Sequence, residues 1–182
     1  MINMKRLLSI LLSAILIISI AACSNNTEPK QPNPPGSNGP SKPTSTEPPV
    51  LIIDDRSGNS IKANTGTYSW TYDNGDGTET GVCADSSHPL EWQEFMVPMT
   101  TTEDTIELKF AVPPQEYSVH RWNESCWDDV NAISEGMETD GYKIDIKEGG
   151  YIYEVVAKWT GENLAAKGTV HYGFYVIKIT LR

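Results

Sequence analysis

Tyr151-Ile-Tyr-Glu-Val-Val-Ala-Lys-Trp159 is the stretch that decides the fold. Every second side chain in it is apolar, so these side chains share one face of an extended chain: Tyr151, Tyr153, Val155, Ala157 and Trp159. A period of two is typical of a β-strand that buries one face. Gly149 and Gly150 precede the strand and predict a turn. The stretch therefore predicts a β-rich domain.

The neighbouring stretches repeat this pattern. Ile106–Val112 alternates apolar and polar residues until Pro113 and Pro114 end it, and Tyr117–Trp122 and Tyr142–Ile146 predict two further strands. Gly168–Leu181 predicts a long last strand that is apolar on both faces toward its end. Since a strand of that kind is usually buried on both faces, we expect it at the centre of a sheet.

An acidic, glycine-rich segment between two predicted strands indicates a hairpin. Thr67–Tyr72 and Thr78–Val82 flank Asp73-Asn-Gly-Asp-Gly77, whose Asn-Gly and Asp-Gly steps supply positive φ angles. A calcium loop is the alternative, but it needs oxygen ligands at alternate positions, and two of those positions are glycines. The sequence favours the hairpin. Helical periodicity is nearly absent, and only Asp128–Glu138 is predicted as one short turn or helix.

Seven to nine short strands separated by turns predict an all-β domain over residues 50–182, in the form of an immunoglobulin-like β-sandwich. Trp122 takes the place of the core tryptophan of such folds, and Tyr151 that of the tyrosine corner. This is an analogy of fold, and fold alone does not give function.

The N-terminus predicts export. Lys5 and Arg6 precede the uncharged run Leu7–Ala22, which is too short for a typical spanning helix and ends in Ile20-Ala-Ala-Cys23. This ending resembles the lipobox of bacterial lipoproteins, which implies cleavage after residue 22 and diacylglycerol on the Cys23 thiol. Two acyl chains give a stable membrane anchor. The alternative is an uncleaved signal anchor in which Cys23 is incidental.

Residues 23–49 predict a disordered, proline-rich linker behind the lipidated Cys23. They hold 8 of the 12 prolines and, after the cysteine, no aromatic or aliphatic side chain before Val50, so they cannot bury a core. As a flexible coil the linker would span roughly 28 Å, and as extended polyproline II about 80 Å. We therefore expect the domain to be held off the bilayer.

The charge of the domain limits its partners. Four of the 14 basic residues and two of the 24 acidic residues precede Val50, so the domain carries 10 basic and 22 acidic side chains and a net charge of −12. Such a surface repels phosphate backbones and anionic lipids, so nucleic acid is not an expected partner. A solvated, soluble surface explains the same charge.

Two cysteines, Cys83 and Cys126, remain after lipidation of Cys23, in a compartment where disulfides persist. We expect them to form a bridge, which would close a loop of about 44 residues and stabilise the fold by roughly 4 kcal/mol. Two free thiols are the alternative.

Several segments resemble uncharacterised lipoproteins of Bacillus and Clostridium type bacteria. They are Gly66-Thr-Tyr-Ser-Trp70, Ala84-Asp85, His88-Pro-Leu90, and the strands beginning at Tyr151 and Tyr172. Similar segments occur in the extracellular tails of the beta-lactam-sensing antirepressor family of membrane zinc peptidases. The resemblance implies a module used outside the membrane, on a Gram-positive cell. The peptidase activity is not implied, because the chain lacks a His-Glu-x-x-His motif.

Catalytic, metal and cofactor signatures are not found in the sequence. His88, His120 and His171 lack the short spacing of metal ligands, and no Gly-x-Ser-x-Gly elbow, phosphate loop or dinucleotide fingerprint is present. Asp128-Asp129 is the most suggestive carboxylate pair, but an exposed acidic turn explains it equally well. We therefore expect no catalytic residue, no metal and no cofactor.

Aromatic residues in predicted loops are the best candidates for binding. Trp92 and Trp127 lie near His88, Arg121 and Asp128, and loop aromatics beside polar groups suit a binding surface. The alternative is that both tryptophans cover the ends of the sandwich and pack against a bridge between Cys83 and Cys126. It explains the pattern as well as binding does.

These observations lead to one expected function and two alternatives. We expect a non-enzymatic binding or sensing domain, tethered by the lipid on Cys23 to the outer face of the cell membrane, with an unknown protein or envelope ligand. The first alternative is an accessory lipoprotein that docks on an envelope protein complex. The second is a hydrolase that acts on the envelope.

Overall fold

The computed structural model describes residues 46–161 and 164–181. Within them the chain forms eleven strands: β1 Leu51–Asp54, β2 Ser60–Lys62, β3 Asn64–Asp73, β4 Glu79–Ala84, β5 Pro98–Thr101, β6 Thr105–Phe110, β7 Glu116–Asn123, β8 Glu135–Met137, β9 Lys143–Asp145, β10 Gly149–Trp159 and β11 Ala166–Lys178. Two single turns of 3-10 helix lie at Pro89–Glu91 and Glu124–Cys126. The domain is thus mostly β, as the alternation predicts.

The strands form two sheets that pack as a sandwich. The small sheet has the order β2-β1-β6-β9, and the large sheet has the order β4-β3-β11-β10-β7-β8. All neighbours are antiparallel except β5, which pairs in parallel with the last four residues of β11. The long strand β11 lies inside the large sheet, which confirms the position that its apolar residues predict.

The main core lies between the two sheets. The residues of β10 that alternate inward from Tyr153 to Trp159 are at most 1 % exposed, and they pack with Ile53 and Leu108 of the small sheet. The indole of Trp159 meets Trp70 edge to face, with ring centroids 5.5 Å apart, and its N–H donates to the carbonyl of Val112. The alternation of apolar residues along β10 therefore predicts correctly which of its side chains point into the core.

The predicted long strands and the short strand β9 are confirmed, and sequence reasoning misses several of the other short strands. β1, β2 and β5 have three or four residues each, too few for a clear period. The prediction of a turn or helix over Asp128–Glu138 is wrong for its last part. Residues 135–137 form β8 because they pair with residues 119–121 of β7.

The acidic segment between β3 and β4 is a hairpin turn, as predicted. The Asp73 carboxylate accepts from the N–H of Gly75, and the Asp76 carboxylate accepts from the N–H and hydroxyl of Thr78. Gly75 and Gly77 have positive φ angles of 81° and 86°. Both carboxylates therefore accept hydrogen bonds within the turn and stabilise it.

The N-terminal end of the domain is tied to the core. The Tyr172 hydroxyl donates to the carbonyl of Pro49 at 2.5 Å, and Pro49 is buried. The folded unit therefore includes the last residue of the predicted linker. Cys23, the predicted signal peptide 1–22 and the linker up to residue 45 lie outside the described residues. Among residues 46–161 and 164–181, no helix has the length and apolarity to cross a membrane.

Candidate functional site

The outer face of the large sheet, which is the face away from the small sheet, carries a second hydrophobic core. Its buried members are Leu90, Trp92, Met96, Trp122 and Ile152. Two connections contribute to this core: residues 85–97 after β4, and residues 124–134 after β7. They meet where the N–H of Asp128 donates to the carbonyl of Leu90 at 3.0 Å.

Trp122 belongs to this second core and not to the core between the sheets. It is 6 % exposed, and its indole N–H donates to the carbonyl of Ala132. The prediction that Trp122 is the core tryptophan of the sandwich is therefore wrong. Val119 lies three positions earlier on β7 and points into the core between the sheets. Side chains three positions apart on a strand point to opposite faces, so Trp122 points outward.

Trp92 is a packing residue and does not present its ring to solvent. Only 3 % of it is exposed, and its indole N–H donates to the Ser87 hydroxyl. The ring fits a notch between two glycines, since a Cβ atom at Gly66 or Gly173 would lie 2.7 or 2.4 Å from it. The prediction of Trp92 as a ligand contact is wrong for this arrangement.

The other three predicted binding residues surround the same core. Trp127 is half-buried and packs edge to face on Tyr175, with ring centroids 5.5 Å apart. His88 accepts from the N–H of Leu90 and lies against the ring of Trp122. Asp128 is exposed and has a φ of 63°. The structure thus brings the four predicted residues together around a core on the outer face of the large sheet, and not at the ends of the sandwich or against a disulfide as the packing alternative had it.

Arg121, which the sequence places near these loops, points to the opposite face. Its guanidinium is 5 % exposed, pairs with the Glu135 carboxylate at 2.9 Å and lies over the ring of Tyr151. Burial raises the pKa of the neighbouring Tyr153 to about 12, although Arg121 acts in the other direction. Arg121 therefore belongs to the interior and not to a binding loop.

Cys83 and Cys126 are free thiols, and the predicted bridge is wrong. Four inter-strand spacings of about 4.8 Å separate β4 from β7. The pairing across the sheet also places Cys83 level with Glu116 at the start of β7, while Cys126 follows the end of that strand. A disulfide needs Cα atoms within about 7 Å. The order of the strands therefore places the Cα atoms of the two cysteines too far apart for a disulfide.

Another part of the outer face has a depression, which we call the outer-face pocket. Its volume is about 420 Å³, and it is lined by Thr67, Tyr68, Ser69, Cys83, Ala84, Asp85, Thr169 and His171. Three adjacent strands, β4, β3 and β11, form its floor. The 85–97 connection packs on the neighbouring part of the sheet, as part of the second core.

Hydrogen bonds fix the wall of the pocket where β4 ends. The Thr67 hydroxyl donates to Asp85 Oδ1 at 3.3 Å, and the N–H of Ser86 donates to the same oxygen at 3.0 Å. The Ser86 N–H also donates to the Thr67 hydroxyl at 3.1 Å. Both bonds to Asp85 use Oδ1, so Oδ2 has no donor among the described residues.

A histidine and a carboxylate form a pair beside the depression. His171 Nδ1 lies 2.9 Å from Glu154 Oε1, and these side chains are 36 % and 17 % exposed. Because a carboxylate only accepts, Nδ1 donates, and Nε2 is the acceptor in the neutral imidazole. His120 is the register partner of Glu154 on β7. In the part of the chain that the structure describes, no group of three or more ligands is placed to hold a metal ion.

Sequence reasoning misses Thr67, Asp85, Glu154 and His171 as members of one site. A clue exists in the outward residues of β3 and β11, which are hydroxyl or imidazole side chains at alternate positions. It is weak, because a solvated sheet face has the same pattern. Only the order of the strands, which the sequence does not give, places β3 beside β11.

Comparisons with known proteins give no relative. No family model matches the chain, and neither a curated protein nor a solved structure matches it significantly.

Proposed function

We propose that this protein is a non-enzymatic binding or sensing module, tethered by lipid on Cys23 to the outer face of a cell membrane, and that the outer-face pocket is its binding surface. The observation that carries the proposal is the convergence of Asp85, His171 and three hydroxyl side chains on an open depression of about 420 Å³. A volume of this size suits a small ligand or one unit of a polymer.

The position of the pocket supports access to a ligand. The linker enters the domain at Pro49 and continues into β1 of the small sheet, whereas the pocket lies on the outer face of the large sheet. Five of its eight lining residues, within 67–69 and 84–85, belong to the segments that resemble uncharacterised lipoproteins. The resembling segments thus include most of the lining of the proposed binding surface.

We also propose that the sandwich is a variant of the immunoglobulin-like fold. In the seven-stranded form of that fold, the third, sixth and seventh strands share one sheet, and the second and fifth strands lie in the other. Here β7, β10 and β11 share the large sheet, while β6 and β9 share the small one. Under this assignment β3 and β4 are an added hairpin that widens the large sheet. The pocket then lies on the added part.

Crosslinking in intact cells, followed by mass spectrometry, tests the binding function. Ser69→Tyr places a bulky side chain in the pocket, and Ser118→Tyr makes the same change on the same face, on β7, outside it. Both positions are exposed, and tyrosine suits a strand, so both variants are expected to fold. We expect Ser69→Tyr to lose the captured ligand and Ser118→Tyr to retain it. Equal capture by the two variants would reject the pocket as the binding surface.

The tether has its own test. We expect Cys23→Ala to release the protein from the membrane fraction, because two acyl chains are the proposed anchor. Retention of the variant in membranes would contradict lipidation at Cys23. Capture by the released domain favours binding over docking, whereas capture that needs the lipid favours an accessory protein that docks on a membrane complex.

A further inference from the structure

We infer that the outer-face pocket recognises a primary ammonium group, such as the free amine of an amino sugar or of a lysine side chain. This inference rests on the proposed binding function and specifies its ligand. It is based on the hydrogen-bond acceptors that line the pocket and on the charges of the side chains around it.

The pocket is rich in acceptors. Asp85 Oδ2 has no donor among residues 46–161 and 164–181, and His171 Nε2 is an acceptor in the neutral imidazole because Nδ1 donates to Glu154. The hydroxyls of Ser69 and Thr169 add two oxygens that accept as well as donate. An ammonium group carries three donors and no acceptor, so it matches such a set.

The charges around the pocket also favour a cation. None of the eight lining residues is lysine or arginine, and Asp85 adds a carboxylate. The two lysines nearby on the sheet face, Lys158 and Lys167, already face the carboxylates of Glu116 and Glu79, at 4.0 and 2.9 Å. With Asp85 and Glu154, the region holds four carboxylates and two ammonium groups. An anionic ligand would have to approach against this charge.

The aromatic residue that lines the pocket, Tyr68, is partly buried against the main core between the sheets. The indole of Trp92 is buried in the second core. Neither ring offers a fully exposed platform to a neutral sugar, and among polar contacts charge-assisted hydrogen bonds are the stronger kind. This favours an amine over an uncharged hydroxyl group as the recognised element.

The test uses probe pairs that differ only in the charge of one amine. Glucosamine is compared with N-acetylglucosamine, and Nα-acetyl-lysine amide with its Nε-acetylated form, by calorimetric titration of the full-length protein in detergent. We expect each free amine to bind at least about tenfold more tightly than its acetylated partner, since a hydrogen bond to a charged group is worth a factor of this size. The tighter of the two free amines indicates a saccharide or a peptide source.

Matched variants assign the effect to the pocket. Asp85→Asn should weaken amine binding by about 10- to 100-fold, and Glu154→Gln should weaken it less because it acts through His171. Asp145→Asn removes the same charge from an exposed position on β9 of the small sheet and should leave the affinity unchanged. Equal binding of acetylated and free probes, or no binding of any probe, would overturn the ammonium proposal. The binding function itself fails only if Ser69→Tyr captures the cellular ligand as well as Ser118→Tyr does.

Discussion

Replacing Trp92 by alanine tests whether the tryptophan loops are structural. The indole is 3 % exposed and fills the notch between Gly66 and Gly173. A buried tryptophan removes about 200 Å² from water, which at about 25 cal/mol per Å² corresponds to about 5 kcal/mol. Alanine keeps part of this contribution, and a cavity adds to the loss. We therefore expect Trp92→Ala to lower the free energy of unfolding by about 3–5 kcal/mol.

Urea unfolding followed by circular dichroism measures this loss. Phe95→Ala is the matched control, because Phe95 lies three residues away in the same connection but is 58 % exposed. We expect the control to change stability by less than about 1 kcal/mol. If Trp92→Ala also cost less than about 1 kcal/mol, the indole would not be packed as described. The loops would then be open enough for the predicted role in binding.

Three further predictions concern packing, pH and thiols. Gly173→Ala should lower the free energy of unfolding by about 1–3 kcal/mol in the same assay, because the added Cβ would overlap the Trp92 ring. An unchanged unfolding midpoint would contradict the packing of that ring against Gly173. Burial raises the pKa of Asp55, but hydrogen bonds from Asn59, Thr101 and Ser57 outweigh it and hold the pKa well below its usual range. The stabilisation that ionised Asp55 provides is therefore complete above about pH 4 and is lost as the pH falls below that value. The free energy of unfolding, measured from pH 5 to 2, should show this loss for the wild type and not for Asp55→Ala. Parallel pH profiles of the two proteins would refute this. Titration of unfolded, unreduced protein should find two reactive thiols, Cys83 and Cys126, and finding none would restore the bridge.

The sequence predicts the strands and the main core because the physics that decides them is local. The apolar alternation of β10 and the turn residues of the β3–β4 hairpin each need only a few neighbouring residues. β5 is different. Its four residues have no distinctive pattern, and they form a strand because they pair with the far end of β11.

The two faces of the large sheet explain where sequence reasoning fails. Aromatic residues in a predicted loop suit ligand binding and packing equally well, and Trp92 is packed because two glycines on β3 and β11 leave room for its ring. Cys83 and Cys126 form an even pair in the sequence, but the strand order separates them. The outer-face pocket depends on the same strand order. In each case the deciding contact joins residues far apart in the chain.

The central claim, that the outer-face pocket binds the ligand while the tryptophan loops are packed, can be tested directly through the two thiols. Cys83 is exposed in the pocket, and Cys126 is partly buried beside the second core, so Cys126 serves as an internal reference. The measurement is the ratio of their alkylation rates in intact cells and in the purified full-length protein. We expect a ligand in the envelope to lower the relative rate of Cys83 in cells. An equal ratio in both settings would contradict the claim.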